Sequence, residues 1–120
     1  MKLYTKEHLW LDFEDGIVVL GMTSYAISQF EEITFFTFQS PDFLNVDDTI
    51  ACLESSKIAW EIRSPLSGRL LTVNRKLENS LDDLNRSPEN DGWICQIITP
   101  DRQAAGWMSP VAYQRYLETL

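Results

Sequence analysis

Lys57 stands in the run ESSKIAWEI, residues 54–62, with Ser55 and Ser56 on one side and the apolar stretch Ile58-Ala59-Trp60 on the other. A strand places a lysine singly on its solvent face, but this one falls where two strand-like runs meet, and the turn signal SPLSG follows within a few residues. A primary amine held out at a bend can be surrounded by another protein, and the chemistry it offers is covalent modification.

Few other residues compete for a chemical role. There is no G-x-S-x-G elbow, no glycine-rich phosphate loop and no H-E-x-x-H, and His8 is the one histidine of the chain. The adjacent acids Glu31-Glu32, Asp47-Asp48 and Asp82-Asp83 read as solvated loop carboxylates rather than acid/base pairs. Cys52 and Cys95 each sit inside an apolar run, TIACLE and GWICQII, without a C-x-x-C spacing, so both are expected as small buried thiols in a reducing compartment. A His/Cys metal site is not expected, and neither is an independent enzyme.

The elements that must position Lys57 are mostly strands. HLWLDFEDGIVVLGM reads as two strands around the tight turn Glu14-Asp15-Gly16. Thr23 or Ser24 can cap a short helical segment whose Ala26, Ile27 and Phe30 share one side. EITFFTFQ is a strand ended by Ser40-Pro41-Asp42, and DDTIACLESS, KIAWEIRS and GRLLTVNRKL are three more, with turns at Lys57 and at Ser64-Pro65-Leu66-Ser67-Gly68. Around the Lys57 turn the expected buried face is Ile50, Cys52, Ile58, Trp60 and Ile62. Gly68 is expected in the turn after SPLS, where a side chain or a negative φ is disfavoured. ENSLDDLNRSPENDG reads as loop with one helical turn, and WICQIIT as the last strand. In SPVAYQRYLETL, Pro110 lies just inside a helix start, and Val111, Tyr113, Tyr116, Leu117 and Leu120 are spaced for one apolar face. Many short strands closed by Gly and Pro turns imply a mainly β barrel or sandwich.

At 120 residues the chain suits one domain, 1–120, and its 44% hydrophobic content is that of a globular protein. Its 18 acidic and 10 basic side chains give a net charge of -8, and the basic residues are scattered, which argues against a nucleic-acid partner. The excess of acid suits solubility or the basic surface of an enzyme partner. No apolar run approaches a membrane span, and MKLYTKEHLWL carries no targeting pattern, so a cytoplasmic protein with no membrane partner is expected.

Together, ESSKIAWEI and SPLSGRLLTVN resemble the lipoyl-attachment hairpin of the H proteins of the glycine cleavage system, with Glu54, Ser55, Lys57, Ser64, Pro65, Ser67, Gly68, Val73 and Asn74 in matching positions. Further blocks follow the family's order: YTKEH with Trp10, then Gly21, Thr23, Tyr25 and Ala26, then Asp91-Gly92-Trp93. Biotin carriers place their lysine between methionines and dehydrogenase lipoyl domains show D-K-A; neither pattern is present. The resemblance implies a barrel-sandwich hybrid of the lipoyl/biotinyl-carrier type with short helices, including one at the carboxy terminus. It implies lipoic acid joined by an amide to Lys57, with Glu54, Ser55, Ser56 and Glu61 around the attachment hairpin and arm cleft, and a non-catalytic, monomeric carrier. The implied partners are glycine decarboxylase, the aminomethyltransferase, dihydrolipoyl dehydrogenase, a lipoate ligase or octanoyltransferase, and lipoyl synthase. In the family the arm carries an aminomethyl group, whose ammonium calls for an acid in the cleft.

The departures gather there. Family H-E-W is His8-Leu9-Trp10, T-D-x-A is Thr23-Ser24-Tyr25-Ala26, L-G-D/E-I is Phe30-Glu31-Glu32-Ile33, and a late D-P is Ser87-Pro88. Glu61 falls where the family places an aspartate. Loss of the acid at Leu9 opens two alternatives: a relay that donates lipoate to the 2-oxo acid dehydrogenases, and an unmodified interaction module.

Overall fold

The computed structural model describes residues 1–39, 41–100 and 106–120. Two antiparallel sheets carry the architecture. One has six strands in the order β1 (Lys2–Tyr4), β2 (Leu9–Glu14), β3 (Ile17–Met22), β9 (Cys95–Ile98), β8 (Gly68–Val73) and β5 (Phe43–Leu44). The other has β4 (Phe35–Phe38), β6 (Thr49–Glu54) and β7 (Ala59–Arg63), with β7 on its edge. This is the expected mainly β barrel-sandwich arrangement, and α1 (Ser24–Phe30), α2 (Asp82–Arg86) and α3 (Pro110–Leu117) are short.

Local chemistry explains the connections. Asp15 and Gly16 both have positive φ, 52° and 78°, which is the backbone a two-residue hairpin between right-twisted strands requires. Thr23 caps α1 by accepting from the Ala26 amide at 3.2 Å, and Ala26, Ile27 and Phe30 are buried. Ser109 caps α3 with Pro110 in its first turn. Tyr113 of α3 is buried and stacks on Tyr4 of β1 with ring centroids 4.6 Å apart, and Tyr4 bridges to Met108. These contacts tie the carboxy-terminal helix to the first strand.

Several expectations are corrected. The GRLLTVNRKL strand stops at Val73, and Arg75–Glu78 form a 3-10 helix; with α2, the polar stretch holds more helix than one turn. On α3 the apolar face is narrower than its spacing implied, since Val111 and Leu120 are exposed. Beside Lys57, Ile50 and Ile62 are buried, but Ile58 and Trp60 are exposed and Cys52 is only half-buried. The cause is a register shift between Thr49 and Ala51, which puts Ile50, Ala51 and Leu53 inward and breaks the strict alternation. Gly68 is not in a positive-φ turn; it is the first residue of β8. Its Cβ would stand 2.5 Å from the Ile98 carbonyl oxygen, so glycine is required there by close strand approach. Ser40, expected to help end β4, lies outside the described residues.

Candidate functional site

Strands β6 and β7 form the hairpin that carries Lys57, paired from Glu54↔Ala59 through Cys52↔Glu61 to Thr49↔Arg63. The Ser55 amide donates to the Ile58 carbonyl at 2.8 Å, closing the turn. The Ser55 hydroxyl accepts from the amides of Lys57 and Ile58, both at 3.2 Å. None of residues 55–58 has positive φ. A serine side chain thus supplies the acceptor that fixes the turn, and no glycine is needed. The base is held from the other side, where the Thr34 amide donates to the Glu54 carbonyl at 2.8 Å.

At the tip the Lys57 side chain is 60% exposed, and its Nζ lies 2.5 Å from Glu31 Oε1. Glu31 follows α1 in an unusual conformation: φ is 69° and ψ is -69°, and the Glu32 amide donates to the Phe30 carbonyl at 2.9 Å. That geometry is a γ-turn of the rare hand, costing on the order of 1–3 kcal/mol for a residue with a side chain. Ile58, Trp60 and Phe35 form an exposed apolar surround.

Beside edge strand β7 runs a cleft of about 810 Å³. Leu9, Trp60 and Pro65 contribute apolar wall, while Glu7, Asp47, Glu54 and Glu61 bring carboxylates against the single cation Arg63. Glu61 Oε1 accepts from the Thr49 hydroxyl at 2.9 Å, and Arg63 Nη2 lies 3.6 Å from Glu61 Oε2. Glu7 is presented by a tight loop in which the Thr5 amide donates to the Leu9 carbonyl at 2.9 Å and the Leu9 amide donates to Thr5 Oγ1 at 3.2 Å. Next to it, His8 has φ 68°, and its Nδ1 lies 2.8 Å from the Tyr113 hydroxyl, which is itself 2.8 Å from Thr23 Oγ1. Burial pushes the His8 pKa below the usual imidazole value, so the neutral ring is the form that suits this pocket.

Of the expected site residues, Glu54, Ser55, Ser56 and Lys57 share the hairpin end, and Glu54 and Glu61 reach the cleft. Gly68 is elsewhere, packed against Ile97 and Ile98. Leu9 lines the cleft wall at 4% exposure. Sequence reasoning missed Glu7 and Glu31. Glu7 lies in the turn that leads into β2 and gave no local signal; Glu31 was marked as a departure but read as a loop acid. Among the described residues no group of three or more His, Cys, Asp or Glu side chains is arranged to hold a metal, and no helix is long and apolar enough to cross a membrane.

The family model described as glycine cleavage H-protein matches residues 2–120. The chain belongs to the glycine cleavage H-protein family. A glycine cleavage system H protein of Staphylococcus epidermidis is 34% identical over 116 residues, covering 95% of this chain and 92% of that one. An H protein of Thermotoga maritima is 30% identical over 118 residues, covering 97% and 95%. A Schizosaccharomyces pombe relative is 38% identical over 97 residues, and the match spans only 57% of its length. The fold agrees with the crystal structure of an H protein from Mycobacterium marinum, with a TM-score of 0.86 over 98% of this chain and 96% of that one at 20% identity.

Proposed function

We propose that this chain, acting as one domain over residues 1–120, is a non-catalytic cytoplasmic carrier of the glycine cleavage system, acylated with lipoic acid on Lys57. The observation that carries the reading is the position of Lys57 Nζ: an exposed amine at the tip of a hairpin whose turn is fixed by Ser55, beside a cleft bearing Glu7, Glu54 and Glu61. When bound, the lipoyl group would supply a dithiolane that accepts an aminomethyl group from glycine decarboxylase and yields it to the folate-dependent aminomethyltransferase, dihydrolipoyl dehydrogenase restoring the disulfide. The chain's own residues fit such a group. Lysine plus lipoyl reaches on the order of 14 Å with bonds of ~1.5 Å, long enough to lie along β7. Leu9 and Trp60 offer an apolar wall that keeps water from the cleft, and Glu7 and Glu61 offer carboxylates for a cation. A monomer would act with a lipoate ligase or octanoyltransferase and lipoyl synthase.

The alternative of a lipoate relay is favoured by Leu9, which brings no acid to the cleft wall. Glu7, on the same wall, favours glycine cleavage. Peptide mass spectrometry on protein made in lipoate-fed cells tests the shared premise: one lipoyl group is expected on Lys57, none on Lys57→Arg, and modification elsewhere would refute the site. Loading with glycine and a decarboxylase then separates the two roles, with Glu7→Gln expected to shorten the lifetime of the loaded form at least severalfold; an unchanged lifetime would return weight to the relay.

A further inference from the structure

We infer that Glu31 is a charge-reading latch on Lys57: it holds the unacylated ammonium and is released by acylation. The inference rests on the reading of Lys57 as the acylated residue. Two independent observations meet at Glu31. Its carboxylate is 2.5 Å from Lys57 Nζ across 26 residues of sequence, and both side chains are otherwise exposed, so neither is driven into place by burial. Its backbone holds φ 69° and ψ -69°, a turn that glycine adopts far more readily than a residue with a side chain. A glutamate here gives up the easy backbone and gains one thing visible in the structure, the contact with the lysine.

The chemistry follows from charge. Acylation begins when the ammonium loses a proton; the free Nζ attacks the carbonyl of an activated donor, an acyl adenylate or thioester. The C–N bond forms, the bond from the carbonyl to the phosphate or sulfur leaving group breaks, and Nζ gives up a second proton. The product is a neutral amide. A carboxylate in contact with Nζ occupies the amine and must be displaced before attack, and it has no charge to hold once the amide exists. The latch is closed on the bare lysine and open on the finished arm, which leaves Glu31 as an unpaired anion at the base of the arm, where a basic enzyme surface can distinguish acylated carrier from bare carrier.

The test uses the full unacylated chain and the acetyl ester of N-hydroxysuccinimide at limiting dose, with Lys57 acetylation read by peptide mass against Lys6 and Lys76 of the same molecule. An exposed pair of this kind predicts that Glu31→Gln raises the relative rate at Lys57 about two- to fivefold near pH 8. It should leave Lys6 and Lys76 unchanged. The difference should shrink at 1 M salt, where the screening length is ~3 Å. Glu31→Gly removes the carboxylate and the backbone strain together and should match Glu31→Gln; Glu31→Asp should fall between parent and Gln. Acceleration in Gly but not in Gln would assign the effect to the backbone and overturn the latch, as would equal rates in parent and Gln. Because no ligase or lipoate is used, a latch that passes this test while Lys57 fails to accept lipoate in cells would refute the cofactor reading alone.

Discussion

Replacing Gly68 by alanine should destabilise the fold by about 1–3 kcal/mol, for a reason that has nothing to do with backbone dihedral preference. A Cβ at residue 68 would stand 2.5 Å from the Ile98 carbonyl oxygen and 2.6 Å from Ile97 Cγ2, with Thr99 Cβ at 3.2 Å. The oxygen belongs to the backbone of β9, opposite the start of β8 where Arg69 pairs with Ile98, so it cannot swing aside as a side chain can. Either β8 and β9 part at that end, which weakens about one ladder hydrogen bond worth ~1 kcal/mol, or the core absorbs an overpacked methyl at ~1–3 kcal/mol. Both figures are net effects of substitution and already include the roughly 0.4–1 kcal/mol that alanine's stiffer unfolded chain returns. With a urea slope of about 1.5 kcal/mol/M, the midpoint should fall by roughly 0.7–2 M at unchanged slope. The control is Gly16, at φ 78° with nothing within 4 Å of its Cβ. Gly16→Asn should cost a few tenths of a kcal/mol, because asparagine tolerates the left-handed region and meets no neighbour, whereas Gly68→Asn should be at least as harmful as Gly68→Ala. A Gly68→Ala midpoint equal to the parent's would show that the strands do not approach as described.

Two further outcomes are expected. The depressed pKa of His8 means that the unfolded chain binds its proton more readily, so His8 stabilises the fold fully above the ordinary imidazole value near ~6.5 and loses that contribution as pH falls toward the folded value. Unfolding midpoints from pH 7.5 to 5 should decline more steeply for the parent than for His8→Gln, and parallel curves would refute the neutral-ring assignment. Burial pushes the Cys95 thiol up to about 12, while Cys52 is half-buried at the cleft; an aromatic disulfide reagent at pH 8 should titrate one thiol in native protein and two in urea. Cys52→Ser should abolish the native reaction, and rapid reaction of both thiols in the folded parent would contradict the packing around β9.

The elements could be read from sequence wherever one physical signal dominated. Asp15-Gly16 demanded a tight hairpin, Thr23 or Ser24 offered a helix cap and Pro110 a helix start by their chemistry, and Lys57 stood out because a charge between two apolar runs belongs at a bend. The readings failed where tertiary packing overrode period. Trp60 and Ile58 have the composition of a buried face, but the shift between Thr49 and Ala51 changes the phase of β6, and β7 lies at a sheet edge with a cleft beside it instead of another strand. β1 and β5, of three and two residues, are too short to show alternation. Gly68 was rightly singled out, but a glycine letter does not say whether φ or space requires it, and here it is space. Glu7 and Glu31 were invisible as site residues because what recruits them, the Thr5–Leu9 loop and the turn after α1, is a matter of backbone direction that no local pattern encodes.

The turn pinned by the Ser55 hydroxyl would give the proposed lipoyl arm a stationary pivot, and that sets a rule of traffic. A tether reaching on the order of 14 Å from one fixed point is shorter than any dimension of a body measuring 37 × 35 × 22 Å. Enzymes docked on opposite faces could not hand cargo across the molecule; each must occupy the same neighbourhood around Lys57, one after another. On the proposed reading such partners would exclude each other, so an excess of one should inhibit the next step, and the flux through the carrier would be governed by how fast each enzyme lets go.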